Sequence, residues 1–224
     1  DNEHEMLIGD ANGKIHLFES TINNGEYSFN ITNPNYFNID VGNNASPHIC
    51  DLNNDSLQDL LIGNRDGTIY YCPNRGTLNN PIFDTIISEF GEINVSANSL
   101  PNGKSKPFLL KSDNNNDGDF TDTQDSILLF VGSASGNIYK YHVNDPFINN
   151  PNDSIPLVTD NFGKIFEGFN SFISAYDINN DNQYEIIIGN KSGGLNIYKE
   201  DSSIVNNTYY LNEKINIYPN PVKN

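Results

Sequence analysis

The chain has 224 residues and a formal charge of −17, with 29 acidic against 12 basic side chains. The length is enough to bury one or two cores. The charge excludes the basic footprint of a nucleic-acid binder, and no apolar run approaches the roughly 18 residues of a transmembrane helix.

Asn, Asp, Gly and Pro punctuate short runs of Ile, Leu, Tyr and Phe, and no long 3.6-residue period is present, so the chain reads as all-β. Residues 1–31 hold two strands flanking the turn Asp10-Ala11-Asn12-Gly13, then an outer strand at 26–31. Residues 32–88 form a fuller unit: a link at 33–41, an inner strand at 47–51, an acidic loop, strands either side of Asn64-Arg65-Asp66-Gly67, and an outer strand at 82–88. Residues 89–160 repeat this order with an inner strand at 107–111 and an outer one at 155–159. Residues 161–211 do so again, opening with Phe162-Gly163-Lys164-Ile165, an echo of Phe90-Gly91-Glu92-Ile93.

The repeating feature is the acidic loop. Asp51, Asn53, Asp55 and Asp59 stand at its positions 1, 3, 5 and 9, followed by Leu60-Leu61-Ile62-Gly63. Asp177, Asn179, Asp181 and Glu185 repeat the spacing before Ile186-Ile187-Ile188-Gly189. A third loop carries Asp113, Asn115, Asp117 and Asp119, then inserted residues before its strand, with Asp122 or Asp125 as its closing acid. Hard oxygen donors at alternate positions of a tight loop suit Ca²⁺, which takes six to eight oxygens at about 2.3–2.6 Å. Asx turns without a metal are the simpler reading of the same residues. The loops recur at intervals of about sixty residues, the signature of a repeat architecture, and four antiparallel strands per interval is the pattern of a propeller blade.

DLNNDSLQDLLIGNRDGTIYY and DINNDNQYEIIIGNKSGGLNIY resemble the FG-GAP/VCBS repeats of integrin-type β-propellers and of bacterial surface proteins. The resemblance implies Ca²⁺ held between the first two strands of each four-stranded blade. It assigns one site to Asp51, Asn53, Asp55, Asp59 and the Leu57 carbonyl, and another to Asp177, Asn179, Asp181, Glu185 and the Gln183 carbonyl. In the middle loop it assigns Asp113, Asn115, Asp117 and Asp119, with Asp125 or Asp122 as the closing acid. The family's glycine at the sixth loop position is Ser56 in one copy and Asn182 in another, so the Asp51 loop is expected to be the more strained. Because Asp1 and Glu5 align with positions 5 and 9 of such a loop, and such propellers typically close with seven blades, further blades are expected upstream of Asp1.

The C-terminal stretch Lys214-Ile215-Asn216-Ile217-Tyr218-Pro219-Asn220-Pro221-Val222 is similar to the start of a type IX secretion sorting domain. On that resemblance residues 212–224 begin such a domain, with Tyr218, Pro219, Asn220 and Pro221 as the signal. It implies a Bacteroidetes-type source, export to the cell surface or medium, and engagement of the secretion translocon or its outer-membrane shuttle. The plainer reading is a last strand stopped by Pro219 and Pro221, which cannot donate ladder hydrogen bonds.

No nucleophile elbow, zinc-protease motif, phosphate loop or C-x-x-C is present. His4, His16, His48 and His142 are scattered, and the paired acids stand at calcium spacing. Cys50 and Cys72 fall on strands with a third expected between them, too far apart for easy bridging. The expected function is therefore a non-enzymatic surface module that binds a glycan or a protein. The alternative is the propeller of a polysaccharide lyase or other carbohydrate-active enzyme, whose inner strands here offer only His48, Lys106, Lys111 and Tyr176.

Overall fold

The computed structural model describes residues 4–97, 100–112, 126–143, 153–178, 184–200 and 211–217. These form an all-β structure of four small antiparallel sheets. Sheet 1 contains β1 (Glu5–Gly9), β2 (Ile15–Asn23) and β3 (Glu26–Asn33); sheet 2 contains β4 (Ser46–Cys50), β5 (Asp59–Gly63) and β6 (Ile69–Cys72). Sheet 3 contains β7 (Lys106–Ser112), β8 (Ser126–Gly132), β9 (Ile138–Val143) and β10 (Leu157–Thr159). Sheet 4 contains β11 (Phe172–Tyr176), β12 (Glu185–Gly189), β13 (Leu195–Glu200) and β14 (Leu211–Ile217).

Short polar turns set the register of each hairpin. Between β5 and β6 the Asn64 side-chain oxygen accepts from the Gly67 and Thr68 amides at 3.0 and 3.1 Å. Asp10 does the same in sheet 1, accepting from the Asn12 and Lys14 amides, each at 2.9 Å. Such Asx turns are why Asn and Asp stand there. The turns close on Gly13, Gly67 and Gly136 at φ +85, +94 and +93, a backbone region glycine enters without penalty.

The sheets stack face to face through three hydrophobic clusters, each drawn from two neighbouring sheets and the link between them. Alternation along the middle strands explains how one strand serves two junctions. Leu60 and Ile62 bury against sheet 1, while Leu61 between them buries against sheet 3. Leu129 and Val131 likewise face sheet 2, and Phe130 faces sheet 4. Strands covered on both faces read as continuous apolar runs, which is what LLIG and LLFVG are. In the first three sheets the strand after the lead-in ends in glycine because the next sheet's lead-in passes there: a β-carbon on Gly9, Gly63 or Gly132 would strike the carbonyl of Ala45, Ser105 or Ser171.

The two ends of the stack are open. Met6 and Ile8, placed like Leu60 and Ile62, are 36% and 39% exposed, whereas Leu60 and Ile62 are fully buried. Leu195, placed like Ile15, Ile69 and Ile138, is 39% exposed where those three are buried.

Three links contain equivalent 3₁₀ turns, Tyr36–Asn38, Phe90–Glu92 and Phe162–Lys164, each passing through the left-handed region at its centre. The outer strand expected at 82–88 does not form. Residue 87 makes one bridge to Tyr71, while the Asn74 side chain captures the Gly76 and Ile82 amides and folds 74–82 into a loop. Sheet 2 therefore has three strands among the described residues, not four, whereas the three strands expected over residues 1–31 do form sheet 1. β14 pairs with β13 from Leu195↔Ile217 onward, so residues 211–217 complete sheet 4. Cys50 and Cys72 are free and buried, with β5 between their strands as expected. Among the described residues no helix is long and apolar enough to cross a membrane.

Candidate metal centre

Each acidic loop joins the first two strands of a sheet. Cys50 pairs with Asp59 at the base of the first, Ser112 with Ser126 at the base of the second, and Tyr176 with Glu185 at the base of the third. The described ends of the three loops thus stand at the same place in three successive sheets.

The Asp51 loop is described in full. The Asp55 amide donates to Asp51 Oδ1 at 3.2 Å and to Asn53 Oδ1 at 3.1 Å. The Ser56 amide donates to Asp51 Oδ2 at 3.3 Å, and the Leu57 amide to Asp55 Oδ1 at 2.8 Å. Successive side chains at positions 1, 3 and 5 therefore wrap their own backbone, with Leu52 as a buried apolar anchor. The chain reverses through Asn54 at φ +60 and Ser56 at φ +68. Serine at position 6 is held in the left-handed conformation that glycine enters freely, as the sequence leads one to expect.

Asp59, expected as the closing ligand, is completely buried and faces the protein. Its Oδ2 accepts from the Leu52 amide at 3.2 Å and the Tyr71 hydroxyl at 3.0 Å, and its Oδ1 from the Asn74 amide at 2.8 Å. Burial raises its carboxyl above the ordinary range, opposed by these three donors. The same acid raises the Tyr71 phenol, after burial itself, because a second negative charge there is disfavoured. In sheet 4 the Ile178 amide donates to Glu185 Oε2 at 2.9 Å, repeating the bond from Leu52 to Asp59. In both copies position 9 ties down the amide of position 2.

Among the described residues no three His, Cys, Asp or Glu side chains gather as a metal-ligand group. The donor chemistry of the Asp51 loop nevertheless fits a hard cation: Asp51, Asn53 and Asp55 offer oxygen ligands from alternate positions, and Leu57 continues the alternation with its carbonyl. Asp59 braces the loop from below. Asn179, Asp181 and Gln183 lie outside the described residues, as do Asp113, Asn115, Asp117, Asp119 and Asp125, and the segment Tyr218, Pro219, Asn220 and Pro221. Asp177 and Glu185 are described at the ends of their loop.

Sequence reasoning missed three participants. Tyr71 reads as a packing aromatic, and it is one, yet its hydroxyl holds Asp59. Asn74 carries no sequence signal at all. Lys111, noted only as an inner-strand cation, places Nζ 3.3 Å from Asp51 Oδ2 and 3.0 Å from Asn54 Oδ1.

Two further titratable groups, His48 and Lys106, stand on the inner strands. His48 Nε2 accepts from the Leu109 amide at 3.0 Å and packs on Phe108 with ring centroids 5.0 Å apart, and burial lowers the imidazole to about 4. Lys106 Nζ donates to the carbonyls of Lys104 and Ser171, both at 3.2 Å, and burial lowers it to about 8. It borders a cavity of about 380 Å³ lined by Asp10, Asn44, Lys104 and Asn170.

The sequence matches no protein-family model, and no curated protein is significantly similar to it.

Proposed function

We propose that this chain is a calcium-stabilised β-propeller module of the FG-GAP/VCBS type. It acts outside the cell as a non-enzymatic binding or adhesion unit for a glycan or protein, exported as type IX secretion cargo. The observation that carries the reading is the Asp51 loop, whose oxygen side chains at positions 1, 3 and 5 cap a backbone turned at Ser56. The four stacked sheets with loops at equivalent places support it. Ca²⁺ bound there would neutralise clustered carboxylates of a strongly acidic chain and stiffen the stack. The charge of −17 disfavours nucleic acid as the partner.

The test is a thermal melt with excess CaCl₂ and again with EDTA. Each loop that binds only when folded adds about 2.7 kcal/mol at a hundredfold excess over its Kd. Asp51→Ala with Asp177→Ala should remove most of the shift. Identical melts in calcium and EDTA would overturn the metal assignment. Export is tested separately, by comparing binding to the secretion translocon with and without residues 215–224.

One observation favours the enzymatic alternative. Lys106, brought near neutrality beside the cavity, is the kind of group that takes a proton from the carbon next to a uronate carboxylate. Release of unsaturated product from a polyuronate, lost on Lys106→Met, would establish that reading.

A further inference from the structure

The Asp51 loop carries a cation of its own. Lys111, next to last in β7, lies on the same face as Leu109, two residues earlier, and Leu109 is buried in the cluster between sheets 2 and 3. That face turns Lys111 toward sheet 2 at the level where the apolar junction gives way to the acidic loop. Its ammonium bridges Asp51 Oδ2 at 3.3 Å and Asn54 Oδ1 at 3.0 Å, with both side chains of the ion pair less than one-fifth exposed.

We propose that Lys111 is a tethered counter-ion that gates the loop: it holds the loop folded without metal and competes with an entering divalent cation for Asp51. The proposal rests on the calcium reading above. It follows from three features of the geometry. First, Asp51 Oδ1 accepts from the Asp55 amide and Oδ2 from the Ser56 amide, so the ammonium takes up coordination capacity on an already engaged carboxylate. Second, an ion bound by Asp51 sits within a few ångströms of a like-signed ammonium in a partly desolvated place, where screening is weak. Third, Lys111 belongs to sheet 3 while the loop belongs to sheet 2. Filling the loop therefore acts on the junction between sheets, and linkage requires the junction to act back on affinity. Asp55 and Asp59 are the other charges of the loop; Asp59 is buried and held by its own donors, so Asp51 is the carboxylate the two cations contest.

The experiment is isothermal titration of chelator-stripped chain with CaCl₂, for the parent protein, Lys111→Met and Lys111→Gln. Each is measured with Asp51 intact and with Asp51→Asn, and far-UV circular dichroism verifies folding. The gate predicts that both Lys111 variants tighten one site by about tenfold, a fraction of the bare repulsion at this distance, and that the gain vanishes with Asp51→Asn. It also predicts a lower melting temperature for the Lys111 variants in EDTA, with the gap narrowing in saturating calcium. Unchanged or weaker affinity would overturn it, as would a gain that survives Asp51→Asn, since the effect would then belong to the loop beginning at Asp113. Heat-silent titrations for every protein, parent included, would overturn the calcium reading and the gate together, which separates the two failures.

Discussion

The Tyr71 hydroxyl donates to Asp59 Oδ2 at 3.0 Å in a site closed to solvent, joining β6 to the first residue of β5 at the base of the Asp51 loop. The carboxylate is thereby a fixed point of the sheet before any metal is considered. Tyr71→Phe should cost about 1.5–3 kcal/mol, the range for a buried hydrogen bond to a charged acceptor. Urea denaturation in EDTA measures it. The gap between calcium and EDTA melts should change little on the same substitution, because the hydroxyl bonds to Asp59, which is buried against protein donors.

Ser56 offers a test with the opposite sign. Its φ of +68 strains any residue with a β-carbon. Ser56→Gly should raise stability by about 0.5–1 kcal/mol, and Ser56→Val should lower it by about 1–2 kcal/mol, since a branched side chain tolerates that region least. Chemical denaturation of the two variants reads both.

His48 predicts a pH dependence. Burial lowers the folded imidazole to about 4 from its ordinary 6.5. As pH falls through 6.5 the unfolded chain takes up the proton while the folded one does not, so stability declines from 6.5 down to 4. Below 4 both states carry the proton and the loss levels off at about 3 kcal/mol. His48→Gln keeps an acceptor for the Leu109 amide and removes the titration. The difference between the two proteins' stability curves should therefore slope between pH 6.5 and 4 and be flat above 7.

Equivalent positions in different sheets predict unequal costs. Ile62→Lys would bury an unpaired ammonium and should cost more than about 4 kcal/mol. Ile8→Lys, at the matching place in sheet 1, should stay within about 1 kcal/mol and reduce self-association, which light scattering would report. Gly63→Ala should cost about 3 kcal/mol or more by driving a methyl into the Ser105 carbonyl.

Much of this was legible in the chain. The glycine-ended apolar runs, the Asx turns and the loop spacing placed most of the strands, because each is a local pattern with a local cause. The outer strand at 82–88 was misplaced because its fate depends on Asn74, whose side chain reaches residues 76 and 82 only once the loop has folded. Tyr71 and Lys111 belong to the same class. Their roles depend on partners 12 and 57–60 residues away, and no periodicity within a strand announces such a bond. Spacing makes position 9 a candidate ligand, but its burial against three protein donors is visible only in three dimensions.

The face-to-face stacking has a further consequence for how the molecule comes apart. Because each cluster draws on two neighbouring sheets, the internal sheets are held from both sides and the terminal ones from a single side. Such a chain behaves as a short linear array of coupled units. Its amides should exchange with solvent in a gradient, fastest in β3 and β11–β13 and slowest in β5 and β8, so that unfolding proceeds by fraying inward and the junction between sheets 2 and 3 is the last to open.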